Sequence, residues 1–261
     1  MGGNSIVPIE LLDIAQLIET GKEQGVTLRI INHLAIRDRV TKHLEMPEIL
    51  QRIPTHDIDF MGYTKERDQA DRMFKELGYK ADPSVAFSQE YGVQRLIYHH
   101  ENGQIMVEIF LDELRMAHTL DFRNRFELDD PTISLVDLLL SKLQIQDISG
   151  KDLKDIIVLL AEHETGSGER ELIDIDYLLK LTRKNWGLYY TARKNLVMAK
   201  VFLAQQDEID AAIKDDVNAK LDAYINSMDI EPKTARWKLR AKIGTRVKWY
   251  ENVGDVYNIH Q

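Results

Sequence analysis

Residues 55–60 are Thr55-His56-Asp57-Ile58-Asp59-Phe60, and they decide the predicted fold because a strand pattern here carries two closely spaced acids. Side chains of a strand alternate between its two faces, so Asp57 and Asp59 are expected to project from the same face. Two neighbouring carboxylates disfavour each other's ionisation unless a cation neutralises them. The alternative is that Asp59 begins a turn before Gly62, since aspartate favours turns.

A third acidic residue lies inside an apolar run, Met106-Val107-Glu108-Ile109-Phe110. Burying a carboxylate among such neighbours is costly unless it has a partner. Oxygen ligands suit Mg²⁺ or Mn²⁺, and two ions shared by three carboxylates would activate an attacking hydroxyl and bind a triphosphate. The alternative partner for Glu108 is Arg95 or Lys80 across the sheet. The predicted metal ligands and catalytic residues are Asp57, Asp59 and Glu108.

Helix and strand signals alternate around the aspartate pair. Ile9 to Thr20 has the apolar spacing of an amphipathic helix, and Val26 to Ile31 is β-branched enough to form a strand. Leu34 to Leu44 follows as a predicted helix. Lys65 to Leu77 is a further helix, which Gly78 ends as its C-cap.

The third acid belongs to a predicted hairpin. Arg95 to His99 and Gln104 to Leu111 are strand-like runs, joined around Asn102-Gly103. Asn-Gly readily takes the positive φ angles of a type I′ hairpin turn. Leu120 to Leu128 alternates apolar and polar residues, which predicts another strand.

After Pro131 the hydrophobic period changes from two to about 3.6, which indicates helices. Gly166-Ser167-Gly168 is the best candidate for a linker. We therefore predict an α+β domain over residues 1–165 and a helical C-terminal domain over residues 169–261. The predicted helices are Ser134 to Ile145, Leu153 to His163, Ile173 to Thr182, Trp186 to Gln206, Glu208 to Ser227 and Lys233 to Glu251.

Composition limits the classes of protein that the chain can represent. It has 261 residues, of which 44% are hydrophobic and 30% charged, as in an ordinary globular protein. The absence of cysteine excludes disulfides, thiolate metal sites and cysteine nucleophiles. No run of apolar residues is long enough for a membrane span, and no secretory signal opens the chain, so we expect a cytoplasmic protein with no membrane partner.

Basic residues form two groups in a chain whose net charge is −9. Arg115, His118 and Arg123 follow the third acid, where they would orient substrate phosphates or serve solubility on an edge strand. The segment from Glu231 to Tyr250 has seven basic residues against one acid. It reads either as a solvated helix face, with Trp237 and Leu239 packing beneath it, or as a surface that holds RNA phosphates.

From about Val26 to Glu164 the chain resembles the nucleotidyltransferase superfamily, and most of all its abortive-infection-type and minimal nucleotidyltransferase branches. The family has a strand ending in Gly-Gly or Gly-Ser, then an Asp-x-Asp strand, then an acid on a neighbouring strand. Asp57, Asp59 and Glu108 match the last two features. The resemblance implies a DNA polymerase β-like fold, in which helices flank a mixed sheet.

Two downstream segments extend the resemblance to the abortive-infection branch. Lys142-Leu-Gln-Ile-Gln-Asp147 matches a family motif in which aspartate follows lysine after five positions. Lys151-Asp152-Leu153-Lys154-Asp155-Ile156 resembles the charged helix that comes next in that branch. The resemblance implies that Lys142 contacts nucleotide phosphates and that Asp147 belongs to the same nucleotide-binding motif.

The chain departs from the family at the first motif. Ile31-Asn32-His33-Leu34 stands where the family has glycine followed by glycine or serine. Glycine there lets backbone N–H groups approach the triphosphate closely. Asn32 tolerates a left-handed backbone, and His33 can itself meet a phosphate, so both are assigned to the predicted nucleotide site.

The resemblance implies an enzyme that uses Mg²⁺ to transfer a nucleoside monophosphate from ATP or another nucleoside triphosphate to an acceptor hydroxyl. A protein side chain, a tRNA end or a small molecule would supply that hydroxyl. The departure at Asn32 and His33 favours an alternative, a catalytically inactive nucleotidyltransferase-like protein that binds a nucleotide or a partner. A toxin–antitoxin component is a third reading, by family analogy alone. The sequence leaves nucleotide preference and oligomeric state open.

Overall fold

A computed structural model describes residues 11–52, 57–83, 95–101, 105–168 and 170–252. Its largest sheet has five strands, which lie in the order first, second, fifth, fourth, third. The second and fifth strands run parallel, and the other neighbours are antiparallel. These strands are β1 (Arg29–Ile30), β2 (Asp57–Gly62), β3 (Tyr79–Ala81), β4 (Arg95–His100) and β5 (Met106–Leu111).

Alternation along the two central strands gives the sheet an apolar face and a second face, called the acidic face, which carries the three acids together with the buried Met61 and Phe110. Ile58 and Phe60 of β2, with Val107 and Ile109 of β5, are fully or almost fully buried. The alternate positions of both strands include all three acids of the predicted site. Burial of one face therefore fixes which side the carboxylates take.

Helices cover the sheet and continue beyond it into the C-terminal half. Ser134 and Ser149 cap the helices that follow the sheet, the second within a capping box formed with Asp152. The helices are α1 (Leu11–Glu23), α2 (Asn32–Asp38), α3 (Met46–Ile49), α4 (Arg67–Glu76), α5 (Leu135–Leu143), α6 (Gly150–Glu162), α7 (Ile175–Thr182), α8 (Trp186–Ala204), α9 (Ala211–Ile230) and α10 (Ala235–Ile243). Single 3₁₀ turns, Thr64–Glu66 and Gly244–Arg246, precede α4 and follow α10.

The expected fold class is confirmed: helices flank a mixed sheet, and a helical region follows. The hydrophobic core is continuous from α1 and the sheet through α5 and α6 to α8 and α9. The division into domains at residues 165 and 169 stays a prediction. Across the described ranges, no helix is both long and apolar enough to cross a bilayer.

The predicted strand from Leu120 to Leu128 is wrong. A short strand β7 (Thr119–Asp121) pairs with β6 (Glu113–Arg115), and the chain then turns. Phe126 is nevertheless fully buried, because the Arg29 side chain donates hydrogen bonds to the main-chain carbonyls of this turn. A loop that buries aromatic residues can show the same alternation of apolar and polar residues as a strand.

Two elements near the start of the chain are shorter than expected. The strand predicted from Val26 to Ile31 is restricted to Arg29–Ile30, because the Thr27 N–H donates to the Glu66 carboxylate, 2.7 Å away, instead of to a strand. The helix predicted from Leu34 to Leu44 begins at Asn32 and ends at Asp38. Main-chain N–H groups of residues 41–43 donate to the Glu162 carboxylate instead of continuing that helix.

The C-terminal half departs from expectation in two places. Glu164–Gly166 forms strand β8, which pairs in parallel with β9 (Leu172–Asp174), where the sequence indicated a linker and the start of a helix. The last helix ends at Ile243 rather than Glu251, since Gly244 takes a φ of 61° that ends the helix. Leu239, expected beneath this helix, is 64% exposed. The predicted turn at Asn102-Gly103 lies outside the described residues.

Candidate active site on the acidic face of the sheet

The three predicted acids share one face of the sheet, as expected. Asp59 and Glu108 are direct partners in the parallel register of β2 and β5, and Asp57 lies two residues before Asp59. Burial raises the pKa of Asp59, and the charge of Asp57 raises it further. Burial also raises the pKa of Glu108 to about 7; the charges of Asp59 and Asp57 add to this effect, and Arg95 opposes it. The carboxylates are therefore close enough to influence one another's ionisation.

Each of the two central acids already has a polar partner. The Asn32 side-chain amide donates to Asp59 Oδ2 over 2.8 Å. Arg95 Nη1 donates to Glu108 Oε1 over 2.6 Å, which confirms the alternative ion pair across the sheet. Lys80, the other candidate partner, lies 3.4 Å from Glu101 instead.

The backbone is left-handed at Asn32, where β1 gives way to α2. Asn32 has a φ of 62°, in the left-handed region that asparagine tolerates better than most residues. The Ile31 N–H donates to the Asp59 main-chain carbonyl over 3.0 Å, so the turn is attached directly to the acidic strand. The sequence indicated only that asparagine tolerates this conformation, and the place of Asn32 in a nucleotide site stays a prediction.

His33 points into the interior. Its side chain is 7% exposed, and its Nδ1 lies 3.4 Å from Asp155 Oδ1. Arg52 also contacts this carboxylate, through Nε at 2.8 Å and Nη2 at 3.2 Å. Burial alone would raise the pKa of Asp155, but His33, Lys142 and Arg52 together hold it well below its usual range. A role for His33 in nucleotide binding stays a prediction.

Lys142 belongs to the same buried cluster. Its Nζ lies 3.1 Å from carboxylate oxygens of both Asp152 and Asp155. Burial lowers the pKa of Lys142, but the two aspartates outweigh it and raise that pKa above its usual value. The charge of Lys142 also lowers the pKa of Asp59, so this ammonium group lies near the acidic face. Its predicted contact with nucleotide phosphates is untested.

Asp147 is exposed in the turn between α5 and α6. Burial lowers the pKa of Lys194 on α8, and the charge of Asp147 opposes that change. Asp147 therefore lies near α8, and its place in a nucleotide site stays a prediction.

Sequence reasoning assigned no role to Arg52 and placed Asp155 only within a charged helix. The pattern did contain a signal for Asp155. It lies between Leu153 and Ile156 on α6, where neighbouring residues are buried, so its carboxylate needed a partner in the core. No comparable signal marks Arg52, because α3 is short and its connection to β2 is irregular.

The basic residues after the third acid are engaged elsewhere. Arg115 and Arg123 both form ion pairs with Glu113 in the hairpin of β6 and β7. His118 is buried, with Nε2 2.9 Å from Thr191 Oγ1, and burial lowers its pKa to about 4. These contacts give the three residues structural roles in the described chain.

The carboxylate face fits a divalent cation in its chemistry. Burial, with a smaller effect from the neighbouring carboxylates, raises the pKa of Asp59 and Glu108, and a bound cation would favour their charged forms. Oxygen ligands of this kind suit Mg²⁺. Within the described ranges, no three acids or histidines form a ready-made metal cluster. Asp57, Asp59 and Glu108 are the residues that would hold such an ion, and in this structure Glu108 is paired with Arg95.

Comparisons with known proteins give a distant likeness only. No protein family model matches the sequence, and no curated protein is significantly similar to it. The crystal structure of lincosamide antibiotic adenylyltransferase LnuA, lincomycin-bound, is similar to 59% of this chain, over 98% of its own length. The identity is 15% and the TM-score is 0.39. A likeness this distant does not assign the chain to a family.

Proposed function

We propose that the chain transfers a nucleoside monophosphate from a nucleoside triphosphate to an acceptor hydroxyl, with Mg²⁺ or Mn²⁺ as cofactor. One observation carries the proposal: Asp59 and Glu108 are register partners on parallel strands, with Asp57 on the same face. The left-handed turn at Asn32 adds support, because it is attached to the same strand. Carboxylates beside such a turn are suited to a metal-bound triphosphate.

Each acid has a role in this proposal. Bound divalent cations would polarise the phosphates and make the acceptor hydroxyl more acidic. Asp57 and Asp59 would hold the cations, and Glu108 or Asp59 accepts the proton of the hydroxyl at a carboxylate oxygen. The acceptor oxygen forms a bond to the α-phosphorus, the bond from that phosphorus to the bridging oxygen breaks, and pyrophosphate leaves. The Lys142 ammonium group is held by Asp152 and Asp155, and its charge lowers the pKa of Asp59. The acceptor is a protein side chain, an RNA end or a small molecule.

The test is a transfer assay with each of the four nucleoside triphosphates, labelled at the α-phosphate, in Mg²⁺ or Mn²⁺. Total RNA, the protein itself and a panel of small hydroxyl compounds serve as acceptors. Asp59→Asn should abolish label transfer, since it removes a charge from the metal site. Asp71→Asn is the control, because Asp71 pairs with Lys75 on the exposed side of α4. Equal transfer by both variants would exclude a catalytic role for Asp59.

A second candidate function is nucleotide binding without transfer. It is favoured by the contacts of Asn32 and Arg95, which occupy the two central carboxylates. Metal-dependent binding of a nucleoside triphosphate, together with no label transfer to any acceptor, would support this candidate over the enzyme.

A further inference from the structure

A concave site lies between the start of α8 and α10. It is a cleft of about 440 Å³, and its lining includes Trp186, Trp237 and Trp249. The chain has three tryptophans, so all of them line this one cleft. Lys184, Arg236 and Arg240 contribute the charges of the lining, which includes no acid.

The wall of the cleft is built from packed groups. The Arg240 guanidinium lies 4.6 Å from the centre of the Trp186 ring, and it donates to main-chain carbonyls of Gly244 and Val247. The main chain at Trp249 packs closely against Gly187. A Cβ at position 187 would lie 2.7 Å from the Trp249 carbonyl oxygen, so this close contact needs glycine. The cleft therefore has a defined shape.

Two cations of the lining are available to a ligand. Lys184 and Arg236 are exposed, and no carboxylate in the described ranges forms an ion pair with either. A ligand with negative charge would satisfy these two cations.

The surrounding charge is strongly positive. Residues 232–250 include seven lysines and arginines and no acid, in a chain whose net charge is −9. An acidic protein that concentrates cations in one segment has an electrostatic site for a polyanion. Indole rings beside such cations are suited to stacking with bases.

We infer that this cleft binds a single-stranded nucleic acid, whose bases stack on the half-buried Trp237 and Trp249 and whose phosphates contact Lys184 and Arg236. The inference stands apart from nucleotidyl transfer, since none of the acids of the sheet lines the cleft. An anionic membrane is the less favoured partner, because a bilayer is flat and the tryptophans are in a concave site. The exposed Leu239 and Ile243 on α10 are where a membrane would make contact.

Binding is measured on the full chain with a labelled single-stranded RNA of about 12 nucleotides, with the matching DNA strand and with a mononucleotide. Tryptophan fluorescence gives a second readout, because every tryptophan lines the cleft. We expect the RNA or DNA strand to quench this fluorescence. Affinity should fall steeply between about 50 mM and about 200 mM salt.

The variant Lys184→Ala with Arg236→Ala should weaken binding about tenfold or more and reduce the salt slope by roughly 1.4. Both side chains are exposed, so the fold should be retained. Arg72→Ala with Lys214→Ala is the control with the same change in charge, on α4 and α9. Trp237→Ala should weaken binding about tenfold, and Trp237→Phe should weaken it less.

Four results would overturn the inference. The first is no binding or quenching by either strand at low salt. The second is equal weakening by the cleft variant and its charge-matched control. The third is binding to anionic phosphatidylserine vesicles instead, lost in Leu239→Ser with Ile243→Ser. The fourth is mononucleotide binding as tight as binding of the strand, which would show that the cleft binds a single nucleotide and not a strand. Label transfer by the carboxylate face is a separate measurement, so the two proposals can fail independently.

Discussion

The side-chain amide of Asn32 donates a hydrogen bond of 2.8 Å to Asp59, from a backbone whose φ is 62°. One residue thus adopts the conformation that usually selects glycine and also occupies an oxygen of the central acid. Asparagine is suited to both roles, because it tolerates the left-handed region and carries a donor.

Replacing Asn32 tests whether this contact restrains the site. Asn32→Gly keeps the left-handed turn and releases the Asp59 carboxylate, so it should tighten Mg²⁺-dependent binding of a nucleoside triphosphate several-fold. Asn32→Ala removes the same amide but strains the backbone, at a cost of roughly 1–2 kcal/mol. Titration calorimetry measures the binding of both variants. Weaker binding by the glycine variant would mean that the Asn32 amide helps to form the site.

The charge cluster behind the acidic face should be important for stability. Asp155→Asn removes the carboxylate charge beside Arg52 and one of the two carboxylate charges beside Lys142, and the side chains of both cations are buried. Loss of this counter-charge in the interior should lower the free energy of unfolding by about 3 kcal/mol. Urea denaturation measures this loss. Asp71→Asn removes the charge of a partly exposed pair on α4 and keeps an oxygen that can accept from Tyr98, so its loss should stay at about 0.5 kcal/mol. Losses of equal size would contradict the role of burial.

His118 should make stability depend on pH. Burial lowers the pKa of His118 from 6.5 to about 4. Between these two pH values the unfolded chain therefore binds a proton at His118 and the folded chain does not. Its contribution is present above pH 6.5 and is lost as the pH falls from there through about 4. The loss is on the order of 3 kcal/mol.

His118→Gln removes this titration and retains a polar side chain opposite Thr191. The difference in unfolding free energy between wild type and variant should therefore shrink between pH 7 and pH 4.5, as urea denaturation can measure. A difference that stays constant over this range would show that His118 titrates normally in the folded chain.

The sequence was sufficient to predict the acidic face. Ile58 and Phe60 alternate with the aspartates, and burial of one face determines the orientation of the other. The same reasoning placed Glu108 correctly, because Val107 and Ile109 flank it. A strong period-two pattern in a central strand reflects the burial of one face, and such a pattern can be recognised in the sequence.

Other contacts depend on chain segments that are distant in sequence, and no local pattern reveals them. Arg52 and Asp155 are 103 positions apart, and the turn around Phe126 is held by Arg29. The loop after α2 is likewise determined by Glu162, a residue of α6. Such long-range hydrogen bonds decide where elements end, so the predicted boundaries were less accurate than the elements themselves.

The central claim is that Asp57, Asp59 and Glu108 bind a metal-bound nucleoside triphosphate, and thermal unfolding with ligand tests it most directly. With Mg²⁺ and a nucleoside triphosphate at about 100 times its dissociation constant, the wild type should gain roughly 2.7 kcal/mol of stability. Chelation of Mg²⁺ should remove the gain, and Asp59→Asn should show none. A gain of the same size in Asp59→Asn, or one that survives chelation, would contradict the claim.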